Sequence, residues 1–304
     1  MVASKAEWLR GVFAAVTTPF DRNGRLAAGK LAENLRRYNA TPLSGYLVTG
    51  STGEAVLLTA RETEQVWATA REAAAPERPV LAGIAAESAR SCAIRARRAA
   101  ALGASAVLVR TPCFYRQQTS EDALVRFYMV VADASPVPVL AYSIPQNTGV
   151  AVRAALLRRL MEHPNIVGIK DSSGDVAALQ QMAVEVPQAA VLVGTASVLR
   201  LALLAGACGA ILALAAVVPG LCVALYQAVQ AGDDARARKL QQQLLPASDV
   251  LVTRYGIGGL KYALDRCQYY GGPPRLPLLP PDAAAQATIR STLQELLAVA
   301  AAVA

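Results

Sequence analysis

Ile166-Val167-Gly168-Ile169 is a short apolar run that stops abruptly on Lys170-Asp171-Ser172. Its hydrophobicity is continuous rather than alternating, as in a parallel strand covered on both faces. Seven more runs of this form surround it: Gly11–Val16, Gly45–Thr49, Pro79–Gly83, Ala106–Val109, Val137–Tyr142, Ala190–Val193 and Gly209–Ala213. Between them lie longer segments with apolar residues at helical spacing, among them Ala60–Ala75, Ser88–Leu102 and Glu121–Asp133. Thr59 precedes Ala60-Arg61-Glu62 and Ser120 precedes Glu121-Asp122, which places capping hydroxyls and acids at two helix N-termini. Gly103 follows the Ser88–Leu102 segment, where a C-terminal glycine is expected. Eight strand–helix units predict an α/β fold, a (β/α)₈ TIM barrel over residues 1–230. A doubly wound open sheet is the competing arrangement. Its GxGxxG fingerprint is missing after the first run, where Thr17-Thr18-Pro19-Phe20 stands instead.

The strand signal ends near Gln230, and residues 231–304 read as a small C-terminal helical extension. Gly271-Gly272-Pro273-Pro274 and the prolines 277, 280 and 281 break it. Gly256-Ile257-Gly258-Gly259-Leu260-Lys261 is not a phosphate-binding motif and is expected to start a helix. The alanine-rich tail from Leu293 is expected to fray or to cover an interface.

Composition removes several function classes. With 304 residues, 54% hydrophobic and 17% charged, the chain buries a large core, which excludes a disordered protein or a disulfide-held miniprotein. The net charge of +8 comes from scattered arginines without a run of five, so a small anionic substrate is expected rather than nucleic acid. Five cysteines without a CxxC pair, and the single histidine His163, exclude a Cys/His zinc site and fit free thiols in a reducing compartment. Met1–Arg10 lacks the apolar core of a signal peptide, and a cytoplasmic location is expected. Leu201–Val218 carries no charge, yet Gly206, Gly209 and Pro219-Gly220 interrupt and end it; a buried helix followed by a buried strand is expected, not a membrane span.

In a barrel, catalysis sits where the strand C-termini converge. Lys170 is the leading candidate there. The chain has five lysines and uses arginine for most surface charge, yet this lysine directly ends an apolar run. Desolvation at such a place lowers an amine's pKa, and a neutral amine attacks a ketone to form a Schiff base. Tyr142 ends a neighbouring strand and is the candidate proton shuttle. Ser51 and Thr52, in the turn Gly50-Ser51-Thr52-Gly53-Glu54, offer hydroxyls and backbone N–H groups to a carboxylate, with Glu54 orienting the loop. No metal constellation is visible, since Asp171 and Asp175 stand apart, and no cofactor is expected.

Taken together, Val16-Thr17-Thr18-Pro19-Phe20, Gly50-Ser51-Thr52-Gly53-Glu54, Tyr142-Ser143-Ile144-Pro145 and Ile169-Lys170-Asp171-Ser172 resemble the dihydrodipicolinate synthase / N-acetylneuraminate lyase superfamily of pyruvate-handling aldolases. Within it, Thr111-Pro112-Cys113-Phe114-Tyr115-Arg116, Gln146-Asn147-Thr148-Gly149, His163-Pro164-Asn165 and Tyr269-Tyr270-Gly271-Gly272-Pro273 are most similar to the mitochondrial type of 4-hydroxy-2-oxoglutarate aldolase. The resemblance implies that Lys170 forms the Schiff base, that Tyr142 is the acid/base, and that Ser51 and Thr52 hold the keto-acid carboxylate and relay protons. It implies that Ser172 and Gly194 line the pocket, that the backbone of Ile211 faces the lysine, and that the assembly is a homotetramer, a dimer of dimers. Two positions depart from the superfamily pattern. Asn147 stands where the synthases carry an arginine for the aldehyde's carboxylate, and it lacks that charge and fork. Phe114 stands where a tyrosine commonly reaches the neighbouring subunit's site; Tyr115 is the substitute at hand. The expected activity is cofactor-free cleavage of a 4-hydroxy-2-oxo acid to pyruvate and an aldehyde such as glyoxylate. The rivals are a synthase joining pyruvate to aspartate semialdehyde and a barrel that binds a keto acid without catalysis.

Overall fold

The computed structural model describes residues 7–303. Eight parallel strands form its centre: β1 (Gly11–Ala15), β2 (Gly45–Val48), β3 (Val80–Ile84), β4 (Ala106–Arg110), β5 (Val139–Ser143), β6 (Ile166–Asp171), β7 (Ala190–Val193) and β8 (Gly209–Leu212). Each pairs with its sequence neighbour and β8 returns to β1, so the sheet is closed and the open-sheet alternative falls. Every strand residue is buried, which is why the runs carry no alternation. Phe13, Leu47, Leu81, Leu108, Leu140, Val167, Leu192 and Ile211 fill the barrel, while Val12, Tyr46, Val107 and Val191 face the helices. β5 starts two residues later than the apolar run beginning at Val137, because Pro138 has no N–H for the ladder.

Local chemistry sets the helices. At Ala60–Ala73 the Thr59 hydroxyl accepts from the Glu62 amide and the Glu62 carboxylate accepts from the Thr59 amide, a complete capping box. At Glu121–Ala134 the Ser120 hydroxyl accepts from the Ala123 amide, a single cap without the returning bond. The charge-free stretch divides into a helix, Leu199–Leu204, and β8, as its glycines predict; among the described residues no helix is long and apolar enough to cross a membrane.

After the last barrel helix, Pro219–Gln230, the chain continues as helices Asp234–Ala247, Gly256–Arg266 and Ala283–Val303. Pro246 lies inside the first of these, and the backbone passes at once into a π-helical stretch, Ser248–Arg254. A proline removes an i→i−4 hydrogen bond and crowds the preceding turn, and wider turns relieve this. The stretch places Ser248, Val252 and Thr253 over the barrel mouth. Leu293 and Leu296 of the alanine-rich tail are buried against the chain's own core.

Candidate active site

A cavity of about 780 Å³ opens at the C-terminal ends of the strands. Ser51, Thr52, Tyr142, Asn147, Lys170, Ser172 and Gly194 all line it, so the sequence-predicted residues converge from five separate segments. Ile211 does not line it; its side chain is fully buried within the barrel core. Phe114 and Tyr115 also lie outside it, 77% and 68% exposed and packed edge to face on each other.

A one-residue slip in the sheet aims the lysine. Val139 on β5 faces Ile166 on β6, but Leu140 faces Gly168, so Val167 is an extra residue. The slip makes Lys170 the partner of Tyr142; in unbroken register Ile169 would take that place and Lys170 would turn outward. Gly168 permits the irregularity, since a Cβ there would lie 2.1 Å from the Ala190 carbonyl oxygen. Lys170 and Tyr142 are each 4% exposed, and the lysine Nζ sits 4.4 Å from the phenol ring centroid. Ser51 Oγ is 3.4 Å from the Tyr142 hydroxyl. Burial alone would raise the Tyr142 pKa; the charge of Lys170 and hydrogen bonds from Ser51, Ser172 and Lys170 outweigh it and hold the phenol below its ordinary value. Gly194 follows β7 and is the wall behind this group. A Cβ there would stand 1.9 Å from Ser172 Oγ and 2.9 Å from Lys170 Cε.

The loop carrying Ser51 and Thr52 is held at both ends. Thr49 and Glu54 adopt positive φ, at 52° and 55°, an unusual conformation for non-glycine residues. Each is fixed from outside. The Thr49 hydroxyl donates to the Gly83 carbonyl and accepts from Trp67 Nε1, both at 2.8 Å. The Glu54 carboxylate pairs with Lys261 and accepts from the Arg275 amide at 2.8 Å. Lys261 is fully buried; burial lowers its pKa against the opposing pull of Glu54. Arg275 also donates to the Leu57 carbonyl at 2.7 Å and forms a two-pronged pair with Glu62 at 2.9 and 2.7 Å. The helical extension thus fixes the loop that faces the lysine. Gly53, Glu54 and Ala55 spend their amides on the turn itself, while those of Ser51 and Thr52 take no acceptor among the described residues.

Asn147 belongs to a single helical turn, Pro145–Thr148, after β5. Two further charged residues line the cavity that the sequence reading passed over, Arg110 and Glu87. The signal was available for the first: Arg110 ends the apolar run Ala106–Val109 just as Lys170 ends Ile166–Ile169. Among the described residues no group of three or more His, Cys, Asp or Glu stands together as a metal site.

A closed (β/α)₈ barrel with a buried lysine at a strand end, a phenol against its amine and hydroxyls across the cavity defines a class I, Schiff-base type of lyase. Comparison with known proteins agrees. The dihydrodipicolinate synthetase family profile matches residues 8–296, and the chain belongs to that family, whose members are pyruvate-dependent lyases working through a lysine Schiff base. The chain is 34% identical over 286 residues to a 4-hydroxy-tetrahydrodipicolinate synthase of Exiguobacterium sp., covering 94% of this chain and 97% of that one. It is 35% identical over 288 residues to an uncharacterized DapA-like lyase of Halobacterium salinarum, covering 95% and 94%. Among solved structures, dihydrodipicolinate synthase of Acinetobacter baumannii complexed with pyruvate superposes with a TM-score of 0.90 at 27% identity, covering 95% of this chain and 99% of that one.

Proposed function

We propose that the protein joins pyruvate, bound as an imine on Lys170, to an aldehyde that carries a carboxylate, and runs the same carbon–carbon bond in reverse. The observation that carries this reading is the buried contact of Lys170 Nζ with the Tyr142 ring at 4.4 Å, with Ser51 beside the phenol. Tyr142, easier to ionise than an ordinary phenol, takes a proton from the lysine ammonium. The freed amine attacks the pyruvate C2 ketone. The proton returns through Tyr142 and Ser51 to the departing oxygen, which leaves as water, and a protonated imine remains. The Tyr142 phenolate takes a C3 proton to give an enamine, whose C3 attacks the aldehyde carbon. The new alkoxide takes a proton from Tyr142, and water then releases the product from Lys170. Ser51 and Thr52 hold the pyruvate carboxylate through their hydroxyls and free amides.

The curated relatives' names support aspartate semialdehyde as the partner, the synthase reaction that the sequence reading held as a rival. One observation favours cleavage of 4-hydroxy-2-oxoglutarate to pyruvate and glyoxylate instead: Asn147, which lines the cavity from the helical turn after β5, is neutral. Steady-state rates with aspartate semialdehyde plus pyruvate, and with 4-hydroxy-2-oxoglutarate, test the two. A large excess of kcat/KM for the first supports the synthase, the opposite result supports the aldolase, and inactivity with both overturns the lyase reading. The exposed Phe114–Tyr115 pair supports a loop that meets another copy in a dimer of dimers.

A further inference from the structure

The mechanism uses one cation, yet a second stands on the same wall. Arg110 is the register partner of Tyr142, which is the partner of Lys170, so three strand-end side chains follow one another around the barrel mouth. Arg110 lines the cavity and is 8% exposed. Its Nη2 donates to Glu87 Oε1 at 2.6 Å and its Nη1 to the Thr111 carbonyl at 2.9 Å. Its buried Nε–H finds no acceptor among the described residues. A guanidinium has five donors, so the two bonds named leave a donor edge to fill.

Glu87, which also lines the cavity, offsets this charge only in part. Its Oε2 accepts from the amides of Cys113 and Phe114 at 2.8 and 3.0 Å, so its charge is shared with the loop backbone. Its side chain is 43% exposed against 10% for Arg110, which leaves the carboxylate screened by water and the guanidinium inside. The neutral Asn147 adds no competing charge. We propose that Arg110 is the receptor for a second carboxylate, the one borne by the aldehyde partner, so that the site selects dicarboxylic 2-oxo acids. The inference rests on the keto-acid reading of this cavity and applies to either aldehyde named above. A planar fork suits a carboxylate in a way that a lysine or an amide does not.

The test compares 2-oxoglutarate with 2-oxopentanoate, which has the same chain length and no distal carboxylate, by calorimetric titration of the full chain. The wild type is expected to bind the dicarboxylate about ten-fold tighter or better. Arg110→Met is expected to bring that ratio to about one while leaving 2-oxopentanoate within about three-fold of wild type. Should Arg110→Met fail to fold, Glu87→Gln decides: freeing the guanidinium of its carboxylate is expected to keep or raise the preference. No preference in the wild type, an equal loss for both ligands in Arg110→Met, or a fallen preference in Glu87→Gln overturns the proposal. Borohydride trapping of pyruvate on the same wild-type protein reads the lyase separately. A preference without an adduct sinks the Schiff base alone, and an adduct without a preference sinks the Arg110 receptor alone.

Discussion

Gly194→Ala is the sharpest structural probe of the lysine pocket. The added Cβ would sit 1.9 Å from Ser172 Oγ, 3.0 Å from Ser172 Cβ and 2.9 Å from Lys170 Cε. Ordinary contact between such atoms begins near ~3.5 Å, so the serine oxygen must retreat by about 1.5 Å and the lysine methylene by about 0.5 Å. Both are ends of side chains rather than backbone, so the barrel accommodates them near the low end of the ~1–3 kcal/mol range for overpacking. The function does not fare as well. Rotating Ser172 away removes one of the hydrogen bonds that lower the Tyr142 pKa, and the amine leaves its position against the phenol ring. Misplacement of reacting groups by about 1 Å costs on the order of 10²-fold. The expected outcome is a ~10²-fold slower formation of the pyruvyl adduct, timed by borohydride quench, with a melting temperature within a few degrees of wild type. The rising limb of the pH–rate profile, which tracks ionisation of Tyr142, shifts to higher pH because a lowering contact is lost. Wild-type adduct kinetics in this variant would refute the placement of Lys170 against Gly194.

Three more outcomes follow from the site. Tyr142→Phe keeps the ring beside Lys170 but removes the acid/base group; kcat is expected to fall ~10²–10⁴-fold with KM little changed, by steady-state assay. Lys261→Met strands the buried Glu54 carboxylate and should cost about 3–5 kcal/mol in urea unfolding, whereas Glu54→Gln combined with Lys261→Met should recover much of it. Glu62, paired with Arg275 and capping Thr59, is lowered from 4.5 to about 2, so its stabilisation is complete above pH 4.5 and fades as the pH falls toward 2. Glu62→Gln should therefore unfold more readily than wild type at neutral pH and match it near pH 2, as read from thermal melts across pH.

The barrel was legible because strands buried on both faces read as unbroken apolar runs, and all eight runs are strands. The position of Lys170 was legible for the same reason, since an ionisable residue closing such a run must stand at the mouth. Its orientation was not, because it depends on the extra residue Val167 on β6, and a one-residue slip leaves no mark on hydrophobicity. Glu54 was read as a loop-orienting acid, but its partner Lys261 lies more than 200 residues downstream, and no periodicity links the two. Lys261 was still open to suspicion as one of five lysines, set between Leu260 and Tyr262. Arg110 is hidden in the sequence among scattered arginines that mostly carry surface charge, although its place at a strand end matches that of Lys170. The short helix Pro145–Thr148 and the π-helical stretch Ser248–Arg254 fall below the length at which helical spacing can be recognised.

The central claim is that the Lys170 amine bonds to the ketone carbon of pyruvate. Borohydride reduction of the full chain with pyruvate, followed by intact mass and peptide mapping, tests it most directly. The expected result is a gain of one pyruvate less one water plus two hydrogens, located on Lys170 and abolished by Lys170→Ala. An unmodified mass, or the same gain persisting in Lys170→Ala, would contradict it.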